Sequence, residues 1–183
     1  MAPVRSLTHL TLATALLVAL VTLATKSAEA FANTPDRCQE TQIDVQWISG
    51  GAGLGHTAYL IEITNVSANA CRLTGYPTVR MSVGASAVTT VAKRTRSGYM
   101  GGLAGATAPL PIVTLRAHGG MASSMVEGSH LPIGDAVSCT TYTKVSITLA
   151  SLQPPYRFTT RFPGCVRPQV HPVVKGSTGS SPA

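Results

Sequence analysis

Beyond its first thirty residues the chain carries four histidines, His56, His118, His130 and His171, and six acids, Asp36, Glu40, Asp44, Glu62, Glu127 and Asp135. Histidine and carboxylate are the side chains that hold a borderline metal, but a site built on one element needs them at short, regular spacing. No two of these histidines are two or four residues apart, and the cysteines Cys38, Cys71, Cys139 and Cys165 lack zinc-type spacing. A metal or small ligand would need separate loops to converge. His118, His130 and Asp135 could do this if their loops share one end of the fold; they are where a metal would be sought, although none is expected. General acid–base work needs a positioned pair of titratable groups, and six dispersed acids offer none. A nucleophile elbow needs Gly-x-Ser-x-Gly, whereas Gly84-Ala85-Ser86-Ala87 lacks the second glycine. The inventory points away from an enzyme and from any cofactor.

Two glycine runs, 50–55 and 98–105, are not phosphate cradles, because neither is followed by Lys-Ser/Thr or has dinucleotide spacing. The second lies in a Gly/Ala-rich stretch, 97–111, and offers Tyr99, Met100 and Leu103 as adaptable apolar contacts. It is the candidate recognition loop; the plainer reading is a flexible crossover. The net charge is +7, with cations scattered apart from Lys93-Arg94-Thr95-Arg96. That excess suits either a soluble surface or attraction to an anionic polymer. Nucleic acid is not expected, since aromatics are only 5% of the chain and are not interleaved with the basic cluster.

The elements that must position these residues read as strands. Ile43, Val45 and Trp47 alternate with Gln42, Asp44 and Gln46; after Gly50–Gly55, a second strand from His56 to Val66 puts Tyr59, Ile61 and Ile63 inward. Midway between Cys38 and Cys71 lies the Leu54-Gly55 step, and midway between Cys139 and Cys165 lies Leu152, beside Gln153-Pro154-Pro155. Residues equidistant from a hairpin turn face each other. Of the three pairings open to four cysteines, this geometry selects Cys38–Cys71 and Cys139–Cys165. Each closes a loop of roughly thirty residues, worth about 3–4 kcal/mol. In the second hairpin Val145, Ile147 and Leu149 point inward and Phe158, Thr160 and Phe162 return. Between the hairpins, Val79, Met81 and Val83 alternate, and 88–93 reads as an edge strand. Ile112–Arg116 and Met121–Val126 are two strands joined across Ala117-His118-Gly119-Gly120, and Gln169–Val174 is a last edge strand tolerating Pro172. The expectation is an all-β, antiparallel β-sandwich of seven to nine strands with two disulfide-clamped hairpins. It spans residues 36–174, and 175–183 would be a flexible Gly/Ser/Pro tail.

Residues 1–30 read as a secretory signal peptide: Arg5, an apolar run from Leu7 to Leu23, then Ala28-Glu29-Ala30 as a small-x-small site, with cleavage after Ala30 or Ala32. Its rival is a retained membrane anchor, the one case in which a membrane contact would follow. Export would let both cysteine pairs oxidise.

One stretch carries a resemblance. Gly51-Ala52-Gly53-Leu54-Gly55-His56, Thr64-Asn65-Val66-Ser67 and Cys71-Arg72-Leu73-Thr74-Gly75-Tyr76-Pro77 resemble the hallmark of an actinobacterial exported family, domain of unknown function 4232. This chain has one extra residue in the glycine loop, and Leu115-Arg116-Ala117-His118-Gly119 replaces a Leu-x-Pro-Gly turn. The resemblance covers about residues 36–174. It implies an immunoglobulin-like, extracytoplasmic sandwich and no established activity, so no catalytic residues transfer. The reading is a secreted, monomeric, non-enzymatic binding or structural module of the cell envelope. Its partner would be an envelope protein or an anionic polymer, met by loops 97–111 and 127–136. The other reading is a small-ligand or metal-binding module using the loop histidines.

Overall fold

Alternation of apolar and polar residues through most of the chain leaves it little choice but strands. A computed structural model describes residues 34–85, 89–105, 107, 109–132, 138–150 and 152–181; the expected signal peptide and Asp135 lie outside them. Twelve strands are present: β1 (Ile43–Gly53), β2 (His56–Asn65), β3 (Cys71–Thr74), β4 (Thr78–Ser82), β5 (Thr89–Val91), β6 (Lys93–Arg94), β7 (Ile112–Leu115), β8 (Met121–Ser129), β9 (Thr140–Thr148), β10 (Tyr156–Gly164), β11 (Gln169–Val170) and β12 (Val174–Lys175). They form a six-stranded sheet, β1-β2-β8-β11-β6 with β12 also on β8, a four-stranded sheet, β10-β9-β4-β5, and a small β3-β7 sheet. The all-β sandwich anticipated from the sequence is observed. The strand count among the described residues exceeds seven to nine because proline, glycine and a switch of sheets at Ala92 cut several runs into segments of two to four residues.

The first hairpin pairs Ile43 with Asn65 through to Gly53 with His56. The glycine run is mostly strand rather than loop: a bulge between Ser49 and Gly51 absorbs one residue, and the chain turns on Leu54-Gly55 alone, both at positive φ (48° and 83°). Positive φ at both central residues matches the twist of a tight hairpin, and glycine supplies it readily. The inward faces of β1, β2, β4, β9 and β10 meet in the core, where Ile61, Ile63, Val79, Ile147 and Phe162 are fully enclosed. Trp47 stacks on Tyr59 at 4.9 Å between ring centroids. Its indole N–H donates to Thr160 Oγ1 at 3.0 Å, which ties β1 to β10 across the two sheets.

Both expected disulfides are present, Cys38–Cys71 and Cys139–Cys165, with Cα atoms 4.7 and 4.2 Å apart. The second extends its hairpin directly beyond the Gly164–Thr140 pair. The first does not simply close β1-β2. Arg37 runs parallel to Arg72, so this bond fastens the segment ahead of β1 to β3, which belongs to another sheet. The turn between β2 and β3 is organised by Asn65, fully buried. Its Oδ1 accepts from Ser67 N and Oγ at 2.9 and 2.8 Å, and its Nδ2 donates to Asn69 O at 2.8 Å.

Four local expectations are corrected. Residues 89–94 are two strands: Ala92 N still donates to Val79 O, but Lys93 N donates to Pro168 O, so the chain switches sheets there. β7 and β8 do not pair with each other, since β7 lies on β3 and β8 on β2. β11 is internal, antiparallel to β8 and parallel to β6, and Pro172 falls in the break before β12, where no ladder bond is needed. The C-terminal stretch also joins the fold. Gly179 N donates to Ser123 Oγ at 2.9 Å and Gly102 N to Gly179 O at 3.0 Å. Glycine suits 179 because its φ is 70° and a Cβ there would lie 2.9 Å from Met125 Cβ.

Candidate functional site

β8 is central, and eight of its nine residues are buried although three are serines and one is a glutamate. The reason is that the sheet is covered on its outer side as well. There, beside Leu60 and Met125, lie the 97–103 loop and the 176–181 segment, which hydrogen-bond to each other through Gly102, Gly179 and Ser181. A polar side chain is tolerated in such a place when every polar atom finds a partner. Ser123 receives Gly179, and Ser124 Oγ donates to His171 O at 2.6 Å.

Glu127 is the centre of this arrangement. It is 4% exposed, and its carboxylate accepts the backbone N–H groups of Tyr99 at 2.9 Å, Met100 at 2.8 Å and Gly101 at 2.9 Å. A fourth donor is His171 Nε2, 2.8 Å from Oε1, in a fully buried pair. The other ring nitrogen lies 3.1 Å from the carbonyl of Thr95 and 3.1 Å from its hydroxyl. Burial alone would push the Glu127 carboxyl up. The bond from His171, the amides of Met100 and Tyr99 and the histidine's charge outweigh it, so the carboxyl sits below its ordinary range. With four donors already bound, this carboxylate is a structural clasp rather than a free base.

What the clasp presents is Tyr99. Its backbone is pinned while its ring stays 56% exposed and stacks on His56, 4.3 Å between centroids and 8° from parallel. His56 ends the β1-β2 turn, where Leu54 is 81% exposed and Leu131, 53% exposed, lies over Gly55. His130 follows β8 at the same end, its Nδ1 3.2 Å from Thr57 Oγ1. Three exposed apolar side chains and two histidines therefore crowd one end of the sandwich.

The sequence-derived candidates divide accordingly. Tyr99 is available as a contact residue, and Met100 is half-buried. Leu103 is only 6% exposed and packs inward, so it does not offer a contact surface. His118 precedes β8 and His130 follows it, so the nine-residue strand holds them about 30 Å apart and they cannot share a ligand. Among the described residues no group of three or more His, Cys, Asp or Glu could hold a metal ion. Sequence reasoning misses Glu127 and His171, placing one at the start of a loop (127–136) and the other on an edge strand (169–174). The available signal is a lone acid near the end of an otherwise uncharged strand, with a glycine-rich run elsewhere whose amides need an acceptor.

Two disulfides and no free cysteine fit an oxidising, extracytoplasmic setting, and among the described residues no helix is long and apolar enough to cross a membrane. No curated protein and no solved structure matches the chain. A family profile does, over residues 38–177, which takes in both disulfides, the Asn65 turn and the Glu127–His171 clasp. The chain belongs to the family described as Domain of unknown function (DUF4232).

Proposed function

We propose that this is an exported, non-enzymatic binding module of the cell envelope or its surroundings, and that it meets a protein partner through the end bearing Tyr99, Leu54 and Leu131. The observation that carries this is the Glu127 clasp. A glycine-rich loop that would otherwise be mobile is fixed by three amide bonds to a buried carboxylate, while its aromatic side chain is left outside. An immobilised aromatic anchor ringed by aliphatic side chains loses little entropy on binding, which is how compact interfaces concentrate their affinity. The non-enzymatic reading is supported at the same place: among the described residues the buried carboxylate–histidine pair is engaged in holding backbone.

A photo-crosslinking amino acid placed at Tyr99 or Leu131 in the expressed, exported protein tests this, with the same group at exposed Gln46 as control. Discrete protein adducts are expected at the first two positions and should disappear when Leu54 is changed to Ser. Identical adducts at all three positions, or none at Tyr99 and Leu131, would overturn it.

A further inference from the structure

We propose that the outer face of the four-stranded sheet is a second binding surface, taking a linear anionic polysaccharide. The reading deepens the binding-module proposal but uses a different face, so either surface can fail without the other.

The geometry follows from register. Across β10, β9, β4 and β5 one outward row runs Arg157, Ser146, Arg80, Val91, and the next runs Thr159, Lys144, Ser82, Thr89. All of these but Val91 line an open trough of about 900 Å³. Arg80, Lys144 and Arg157 are exposed. With strands about 4.8 Å apart, Arg157 and Arg80 stand roughly 10 Å from each other on the same row, and Lys144 lies between them one row along. The arc continues past the sheet edge. Arg167 Nε donates to Val91 O at 3.0 Å, and Arg94 Nη2 donates to Thr78 Oγ1 at 3.0 Å.

Among the described residues no acid forms an ion pair with these cations. The four strands contain no Asp or Glu. The described acids lie elsewhere: Asp36 and Glu40 ahead of β1, Asp44 and Glu62 on the β1-β2 hairpin, Glu127 in the clasp. The ion pair among the described residues is Glu127–His171, so the three trough cations have no acidic partner there. Like charges held this close without counter-charges are mutually unfavourable, and a polyanion laid across them relieves that.

The lining selects among polyanions. Thr78, Ser82, Ser146, Thr148 and Thr159 place hydroxyls between the cations, matching the hydroxyls between charges on a glycan. The exposed large apolar residues, Leu54, Val66, Tyr99, Leu110, Ile112, Met121 and Leu131, all lie off this face. Among the described residues the one aromatic lining the trough, Phe158, is half-buried and packs against the core, a poor platform for base stacking, and no exposed large apolar side chain there could act as a wedge in a lipid bilayer.

The test uses the full mature protein and galacturonate oligomers of defined length, followed by calorimetry across a salt series. Binding should strengthen with oligomer length and weaken with salt, because exposed charges are screened. Arg80→Ser/Lys144→Ser/Arg157→Ser should weaken it roughly tenfold or more, three exposed charge contacts being lost. Arg37→Ser/Arg116→Ser/Lys175→Ser, which removes the same charge from elsewhere, should change it little. Should the trough variant fail to fold, the wild type still decides: saturating oligomer should protect Lys144 from acetylation but leave Lys175 reactive. Equal weakening in both variants, equal protection of both lysines, binding of neutral dextran as tight as of galacturonate, single-stranded DNA or anionic vesicles binding as tightly, or no binding at all would each overturn the proposal.

Discussion

Replacing Glu127 by glutamine keeps the shape of the clasp and removes its charge, so the consequences can be worked out atom by atom. Oε1 now accepts from Met100, Gly101 and His171, and Oε2 from Tyr99. A glutamine turned to keep its carbonyl at the Oε1 position retains three of these as neutral bonds. Its amide nitrogen then faces the Tyr99 N–H, donor against donor, and one buried N–H is orphaned. A bond to a charged acceptor contributes about 1.5–3 kcal/mol net against about 1 kcal/mol for a neutral one, and an unsatisfied buried donor costs about 1–3 kcal/mol. The four bonds share one charge and do not add, so Glu127→Gln should remove roughly 3–4 kcal/mol from the docked loop.

That loss has a ceiling in global stability, because the loop can detach while the sandwich remains folded. Native-state hydrogen exchange is therefore the decisive assay. The amides of Tyr99, Met100 and Gly101 should exchange several-hundred-fold faster, as about 3–4 kcal/mol implies, while β9 and β10 amides change far less. The urea midpoint should fall only as far as the loop contributes to the whole. If the three amides keep wild-type protection in Glu127→Gln, the clasp is incidental to the loop's position and the reasoning above is wrong.

The same carboxylate sets an acid limit. Its value in the fold lies below the ordinary glutamate range, so as pH falls the unfolded chain takes up this proton first; the stabilisation is complete at neutral pH, fades below the ordinary range and is gone once pH passes the folded value. Acid titration of urea stability should show this slope in the wild type and a shallower one in Glu127→Gln. Truncation after Lys175 removes the Gly179–Ser123 and Gly102–Gly179 bonds; exchange at Gly102 and Leu103 should quicken with the β1-β2 register intact. Gly128→Ala would drive a methyl group into the Phe162 ring and Pro163 O, and a thermal melt should report about 1–3 kcal/mol of lost stability. Cys38→Ser/Cys71→Ser should lower the unfolding free energy by about 3 kcal/mol, read from urea titration with Cys139–Cys165 still oxidised.

The sequence made the two hairpins, their inward residues and both sulfur bridges legible because these depend on period two and on distance from a turn, which are local. It misplaced 89–94, β7, β11 and the C-terminal stretch because their partners are chosen by the rest of the molecule. Lys93-Arg94 reads as an edge whichever sheet it joins. Gly179 reads as linker until its φ of 70° and the nearness of Met125 Cβ are seen to suit a glycine. The clasp was hidden for a related reason: β8, Met-Ala-Ser-Ser-Met-Val-Glu-Gly-Ser, has the polarity of a surface strand, and only the coverings on both sides make its serines and Glu127 interior residues. A buried carboxylate is recognised by its donors, and here three of the four are backbone amides, which carry no side-chain signature.

Covering one sheet also explains why the other is open. The 97–103 loop and the 176–181 segment both lie against the six-stranded sheet, drawn there by Met125, Ser123 and Glu127 on its outer side. Among the described residues the four-stranded sheet has no acid on its strands to gather loop amides and no exposed large apolar side chain, and Arg80, Lys144 and Arg157 on it stay exposed. Arg80, Lys144 and Arg157 would also have to be desolvated by any such cover without a counter-charge, an unfavourable exchange. Polar composition therefore divides the two faces by mechanism: a single acid closes one with the chain's own backbone, and three unpartnered cations keep the other free for an anion from outside.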